Sequence, residues 1–173
     1  QSWEDTLAFL RLETDRRDEM SFMRIAMLLP GVGEAVARKV WTKLGGTFDP
    51  RDGMQRDAFG AALPAKGRAA WPPLSAAFAA AAEHIAGGEP GEAIAAFCDR
   101  FYADHLRKEW DEDAAQSRLD DLDELAVQIA GAPAGLEGFL NDVALMTNLD
   151  ARRNEPGSDR LTLSTVHQAK GLE

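Results

Sequence analysis

The 173-residue sequence has a single cysteine, Cys98, so a disulfide within the chain is excluded. A lone cysteine fits a reducing compartment, and we therefore predict a cytoplasmic location. No apolar stretch approaches the roughly 18 residues that read as a membrane-spanning helix. The first residues, Gln1 to Asp5, have neither the basic nor the apolar segment of a signal peptide. The sequence thus predicts no membrane association.

The motifs of nucleotide and metal chemistry are also missing. There is no G-x-x-x-x-G-K-[ST] loop to hold nucleotide phosphates, and no strand-end Asp-Glu pair to hold magnesium. His84, His105 and His167 have no cysteine partners at zinc-ligand spacing. The acidic run Asp111–Asp113 leaves two interpretations, a solvated break or a metal site; we predict no metal. The chain alone is expected not to hydrolyse ATP.

Positive charge is scarce. Lys and Arg number 19 against 29 Asp and Glu, which gives a net charge of −10. This balance argues against general electrostatic attraction to nucleic acid. Any DNA contact must therefore be local, made by backbone amides or by a small basic cluster.

The residues that are present indicate an all-α fold. The composition is 45% hydrophobic, which is enough for one domain with a real core. Apolar residues recur at helical spacing along most of the chain. The first helix is predicted to run from Ser2 to about Thr14, and Ser2 with Asp5 is similar to a capping box.

Glycine and proline punctuate the rest of the chain. Gly45-Gly46 and Gly87-Gly88 are predicted to end helices. Pro72-Pro73 and Pro90 are predicted to begin them. Residues 148–159, rich in Asp, Arg, Asn, Pro and Gly, are predicted to form a flexible loop.

Residues 25–40 predict two helices joined by the turn Pro30-Gly31-Val32-Gly33. Glycines allow a tight turn and let another backbone approach the free N–H groups that open the second helix. Such amides, at the positive end of the helix dipole, suit a phosphate. Arg38 and Lys39 could add positive charge. The alternative is a compact connection between two antiparallel helices.

The segment His105–Trp110 also has two interpretations. One is a base-stacking or backbone contact with nucleic acid, made by a small basic cluster beside Trp110. The other is a helix end whose long side chains lie along the surface, with Trp110 partly buried. Cys98, upstream of it, is interpreted as a small hydrophobic core residue.

The last residues form the most distinctive pattern. Leu161 to Val166 alternate as in a strand, and a polar turn with His167, Lys170, Gly171 and Glu173 follows. Ligand sites of open α/β sheets are built at the carboxyl ends of strands in this way.

Thr165–Glu173 resembles motif V of the superfamily 1 DNA helicases of the UvrD, Rep and PcrA type, which reads T-x-H-x-x-K-G-L-E. Residues 3–12 resemble the helix by which those chains enter their accessory 2B subdomain. Arg118–Leu125 resembles R-x-E-N-L-x-E-L, although Asp120-Asp121 replace Glu-Asn and put any contact of that Asn in doubt. The turn at Pro30 to Gly33 resembles a helix-hairpin-helix, which binds DNA backbone without reading sequence.

The resemblance implies that residues 1–158 form a helical 2B-like accessory subdomain. Residues 159–173 would begin a RecA-like 2A domain that is otherwise missing, and a chain ending inside motif V suggests an excised fragment. The parent would be an ATP-dependent helicase moving 3′ to 5′ on single-stranded DNA, with ATP and Mg²⁺ as cofactors. Its partners would be DNA and the rest of the helicase chain.

The family roles are transferred residue by residue. Thr165 and His167 would contact single-stranded DNA, and Gly171 and Glu173 would approach ATP, Glu173 through the ribose hydroxyl. Lys170 would hold the loop in shape. Duplex phosphate would meet the amides of Gly31, Val32 and Gly33.

Two other functions stay open. The chain could be a non-enzymatic DNA-binding or protein-docking module built on the turn, if no phosphate loop precedes it in the gene. It could also belong to a motor that carries a nuclease, as in the AddAB and RecBCD relatives, and a downstream nuclease domain would decide that.

Overall fold

The computed structural model describes residues 2–153, in which all regular structure is helical. The elements are α1 (Ser2–Thr14), α2 (Glu19–Ala26), α3 (Glu34–Lys43), α4 (Gly53–Ala62), α5 (Ala65–Ala86), α6 (Pro90–Phe97), a π-helical segment (Cys98–Tyr102), α7 (Ala103–Glu109), α8 (Glu112–Ala130) and α9 (Gly135–Arg153). The predicted all-α fold is confirmed for these residues, while the predicted terminal strand lies outside them. Within this part of the chain no helix is long and apolar enough to cross a membrane.

Most of the predicted helix ends are confirmed. The C-cap of α3 is Leu44, directly before Gly45 and Gly46, whose φ angles are +81° and +74°. Helix α5 ends before Gly87-Gly88, and Pro90 opens α6. A glycine in the left-handed region stops a helix without the steric cost that a Cβ would bring.

Two predicted boundaries are wrong. Pro72-Pro73 do not begin a helix, because α5 already begins at Ala65 after the N-cap Pro64. Both prolines are exposed, so the carbonyls that lose their helical partners face water. The neighbouring Trp71 is buried against α4, and this packing keeps the helix intact. The flexible loop predicted for residues 148–159 is also wrong for residues 148–153, because these residues belong to α9.

Helix α1 lies at the centre of the fold. It packs against α2, α5, α6, α8 and α9, and it is buried on most of its sides. The predicted capping role of Asp5 is not observed. Its carboxylate instead accepts hydrogen bonds from Arg24 Nε at 2.8 Å and from the Tyr102 hydroxyl at 2.6 Å. Because Asp5 is buried, its carboxylate bonds to side chains of other helical segments rather than to the backbone of its own helix end.

A continuous series of ring contacts runs through the core. Phe9 of α1 lies between Phe78 and Phe97, with centroid distances of 4.5 and 4.3 Å. From Phe78 the contacts continue towards the α2–α3 side, and from Phe97 they continue to the π-helical segment. The further members are Phe48, Phe22, Phe59, Trp41, Trp71 and Tyr102. One core therefore joins α2 and α3 to the π-helical segment.

Glu13, near the end of α1, carries a buried carboxyl group. It is 7% exposed, and neither carboxyl oxygen accepts a hydrogen bond within the described chain. Burial raises its pKa from 4.5 to about 8; Asp49 raises it further, and Arg51 and Arg56 oppose the shift. Glu13 is thus protonated in the folded chain at neutral pH.

This raised pKa predicts that the chain loses stability as pH rises from about 4.5 to about 8. Between these values the folded state keeps a proton that the unfolded state has released. The free energy of unfolding therefore falls by up to about 1.4 kcal/mol per pH unit. Glu13→Gln should remove this slope and stabilise the chain at pH 8, as measured by urea unfolding across the range. The exposed Glu124→Gln is the control, and an unchanged slope in Glu13→Gln would contradict the assignment.

A second stability prediction concerns Gly60 in α4, which lies under the indole of Trp71. A Cβ at this position would overlap the indole ring. Gly60→Ala should therefore destabilise the chain by about 1–3 kcal/mol, despite the better helix propensity of alanine. Gly53→Ala in the same helix is the control, because the nearest atom there is 3.4 Å away at the end of Arg56. Equal melting temperatures for the two variants would show that Gly60 and the indole of Trp71 are not tightly packed.

Candidate nucleic-acid interface

The connection between α2 and α3 is an exposed turn anchored by one buried side chain. Pro30, Gly31 and Gly33 are exposed, whereas Val32 is 7% exposed. The Val32 side chain packs beside Gly67 of α5, where an added Cβ would lie 3.2 Å from Val32 Cγ2. The φ angle of Gly31 is +76°, which favours glycine at this position. The start of α5 therefore holds the turn in place, while Gly31 and Gly33 of the turn face solvent.

The turn leaves several backbone amides free. Gly33 is the N-cap of α3, so no side chain caps this helix. Within residues 2–153, no acceptor of the chain is bonded to the N–H groups of Gly31, Gly33, Glu34, Ala35 or Val36. By contrast, the N–H of Val32 donates to the carbonyl of Leu29 at 3.3 Å. Of the three amides predicted to meet phosphate, those of Gly31 and Gly33 are therefore available and that of Val32 is engaged.

The cations near this turn differ in how far they are neutralised. Arg38 Nη2 lies 2.9 Å from Glu34 Oε1, and Arg38 Nη1 lies 3.9 Å from Glu19 Oε1. Lys39 is exposed and makes no ion pair with any residue of the described part. Arg38 therefore contributes less free positive charge than its neighbour.

Sequence reasoning missed Lys66. An added Cβ on Gly31 would lie 3.6 Å from Lys66 Cβ, which places this lysine beside the turn. Lys66 is exposed and belongs to the first turn of α5. The predicted helix start at Pro72 left this stretch unassigned, and no local pattern indicates its contact with residues 30–33.

The other predicted site residues lie outside residues 2–153. These residues are Thr165, His167, Lys170, Gly171 and Glu173. Their proposed contacts with single-stranded DNA and ATP therefore stay predictions from the motif.

Trp110, which follows α7, is 40% exposed. The guanidinium carbon of Arg118 lies 3.7 Å from the centroid of its ring. Arg107, from the predicted basic cluster, lies 3.6 Å from Glu112 and is partly neutralised. The indole is thus half-open to solvent and is covered by a cation rather than by the core.

Cys98 opens the π-helical segment and is half-buried. Burial raises the pKa of its thiol to about 12, and Asp99 and Asp123 add to the shift. The thiol is therefore protonated at neutral pH, as expected of a packing residue rather than a nucleophile.

No known protein family matches the chain, and no curated protein or solved structure is significantly similar to it. The resemblance to superfamily 1 helicases therefore stays a prediction that depends on short motifs.

Proposed function

We propose that residues 1–158 are the duplex-contacting accessory subdomain of an ATP-dependent DNA helicase that moves 3′ to 5′ on single-stranded DNA. The observation that carries this proposal is the exposed glycine turn at 30–33. It leads directly into the uncapped N-terminus of α3. In the proposal, a duplex phosphate oxygen accepts hydrogen bonds from the free amides of Gly33 and the first turn of α3.

Backbone amides suit a chain with a net charge of −10. Their partial positive charge is fixed by the helix and does not depend on an excess of lysine and arginine. Contact with phosphate alone carries no base information, so this binding does not depend on sequence. An accessory element that touches successive stretches of duplex needs this kind of contact.

Two lysines extend the proposed phosphate site. Lys66 lies beside Gly31, and Lys39 lies near the middle of α3. Each neutralised phosphate releases counterions and adds about one unit to the salt dependence of binding. A site with two such lysines and a few amides binds duplex weakly at physiological salt, as suits a moving contact.

The nucleotide chemistry of the proposed helicase is assigned to the motif V residues and to other domains of a longer protein. Gly171 and Glu173 approach ATP, and Thr165 and His167 contact the single strand, as the family resemblance implies. ATP and Mg²⁺ are then cofactors of the whole cytoplasmic motor, while the helical body supplies no catalytic group.

A non-enzymatic DNA-binding module is the second candidate. One buried cluster has members from all described helices, and the ring contacts of Phe9, Phe78 and Phe97 join α1, α5 and α6 within it. A body with its own core can bind duplex at the same turn without any motor attached. The two candidates share the phosphate contact and differ only in the predicted ATP chemistry.

The phosphate contact predicts an unusual result for Gly33→Asp. A side chain fits at this position, because no atom lies within 4 Å of an added Cβ and φ is −97°. An N-cap aspartate would accept hydrogen bonds from the free amides of α3 and stabilise the fold by only about a few tenths of a kcal/mol, because glycine is already a tolerated N-cap. The same carboxylate would occupy the amides and repel phosphate, so duplex affinity should fall by roughly tenfold. Fluorescence anisotropy with a short paired duplex at low salt measures the affinity, and thermal unfolding measures the stability.

Three variants complete that test. Gly33→Asn caps the helix without charge and should weaken binding less than Gly33→Asp. Gly131→Asp adds the same charge at an exposed glycine at the end of α8, where φ is −91°, and should leave affinity unchanged. Lys66→Ala should lower the slope of log affinity against log salt by about one unit. Equal duplex affinity for Gly33→Asp and the native chain would remove the turn from the interface.

The motor assignment predicts that the 173-residue chain shows no ATPase activity, with or without DNA. In the full-length protein, Glu173→Ala should raise the KM for ATP, because the ribose hydroxyl loses its acceptor. A steady-state ATPase assay with single-stranded DNA measures both results. Turnover by the 173-residue chain, or an unchanged KM in Glu173→Ala, would count against this assignment.

A further inference from the structure

A cavity of about 260 Å³ lies between α1, the end of α2, α7 and α8. Its residues combine aromatic, thioether, carboxylate, imidazole and guanidinium groups. Those that matter here are Asp5, Met27, His105, Glu109, Trp110 and Arg118. The cavity is smaller than the 300–1,000 Å³ or so that is typical of small-molecule pockets, so it suits a single ring system.

The π-helical segment builds one wall of this cavity. Its last residue, Tyr102, is 1% exposed, and its hydroxyl donates to Asp5 Oδ2 at 2.6 Å. Arg24 Nε donates to the other carboxylate oxygen at 2.8 Å. Single π-helical turns within α-helices occur frequently at functional sites. Asp5 is thereby held in one position and keeps further acceptor capacity towards the cavity.

Trp110 and Arg118 form a cation–π pair at the cavity. The guanidinium carbon lies 3.7 Å from the ring centroid, and Trp110 is 40% exposed. Met27, on another wall, is 46% exposed. Both aromatic rings and guanidinium planes stack on nucleobases. The cavity therefore offers a stacking surface and an apolar contact that are open to solvent.

His105 offers a hydrogen-bonding edge. Its ring lies nearly parallel to those of Tyr102 and Phe101, at interplanar angles of 13° and 18°. Neither ring nitrogen is hydrogen-bonded within the described part of the chain. Burial lowers the pKa of His105, while Glu109 and Asp5 oppose the shift and Lys108 adds to it. The neutral imidazole has one donor and one acceptor, as the edge of a nucleobase requires.

We propose that this cavity binds one unpaired base of a DNA strand whose backbone is held at the 30–33 turn, which rests on the function proposed above. Met27 lines the cavity, and Gly33 follows six residues later, so the two sites are at most about 20 Å apart. The carboxylates of Asp5 and Glu109 disfavour phosphate in the cavity and accept hydrogen bonds from base amino groups. The base stacks on the Trp110–Arg118 pair, and the phosphate stays at α3.

Two matched duplexes test the proposal with the 173-residue chain. One carries a single unpaired base, and the other has an abasic residue at the same position, so the backbones match and only the base differs. The base-bearing duplex should bind more tightly and quench tryptophan fluorescence. This quenching should be lost in Trp110→Ala, which separates Trp110 from the half-buried Trp3 and the buried Trp41 and Trp71. Trp110→Ala should weaken binding of the base-bearing duplex by about tenfold and leave the abasic duplex unchanged.

Further variants separate the cavity from the fold. Met27→Ala should weaken base-dependent binding, whereas Met54→Ala, at a methionine that is 81% exposed outside the cavity, should not. His105→Gln keeps a donor and an acceptor and should retain binding, and His105→Phe should lose it. Thermal unfolding of each variant checks that the fold is intact.

Failure of the base site can be distinguished from failure of the phosphate contact at the 30–33 turn. Equal affinity for both duplexes, unchanged by Trp110→Ala, would overturn the base site. Quenching by an aromatic peptide, but by neither duplex, would also overturn it in favour of a protein partner. If Gly33→Asp leaves both affinities unchanged while Trp110→Ala weakens base-dependent binding, the cavity assignment holds and the phosphate contact fails.

Discussion

Burial of α1 on most of its sides is the constraint on which the rest of the structure depends. A central helix can keep polar side chains only where each one finds a partner or loses its charge. Thr6 donates to a backbone carbonyl one turn earlier, at 2.7 Å. Asp5 is bound by Arg24 and Tyr102. Glu13 finds no hydrogen-bond partner among residues 2–153, and burial raises its pKa to about 8. The chain therefore accepts one costly buried group in the same helix that organises its core.

Asp5 also connects the two proposed DNA contacts. Arg24 belongs to α2, which leads into the glycine turn, and Tyr102 ends the π-helical segment that walls the cavity. One carboxylate thus helps to position both elements, and the ring contacts around Phe9 fix them on a common core. In our proposal, the phosphate site and the base site keep a constant separation because both are attached to α1.

Features encoded locally could be predicted from the sequence, and features that depend on tertiary contacts could not. Gly87-Gly88 and Pro90 mark helix ends through their own backbone preferences, and the structure confirms them. Pro72-Pro73 lie inside α5 because the packing of Trp71 outweighs their local preference. The position of Lys66 beside the turn arises only when α5 packs there. The π-helical segment and the bond from Tyr102 to Asp5 likewise have no signal in local spacing.

The central claim is that an acidic chain binds duplex through a few uncapped amides rather than through its overall charge. The most direct test is a titration of the ¹⁵N-labelled chain with a short paired duplex, followed by amide chemical shifts. Our account predicts shifts concentrated at Gly31, Gly33 and residues 34–36, with smaller ones near Lys39 and Lys66. No shift at residues 31–36 with saturating duplex, or shifts confined to another face of the helical body, would contradict it.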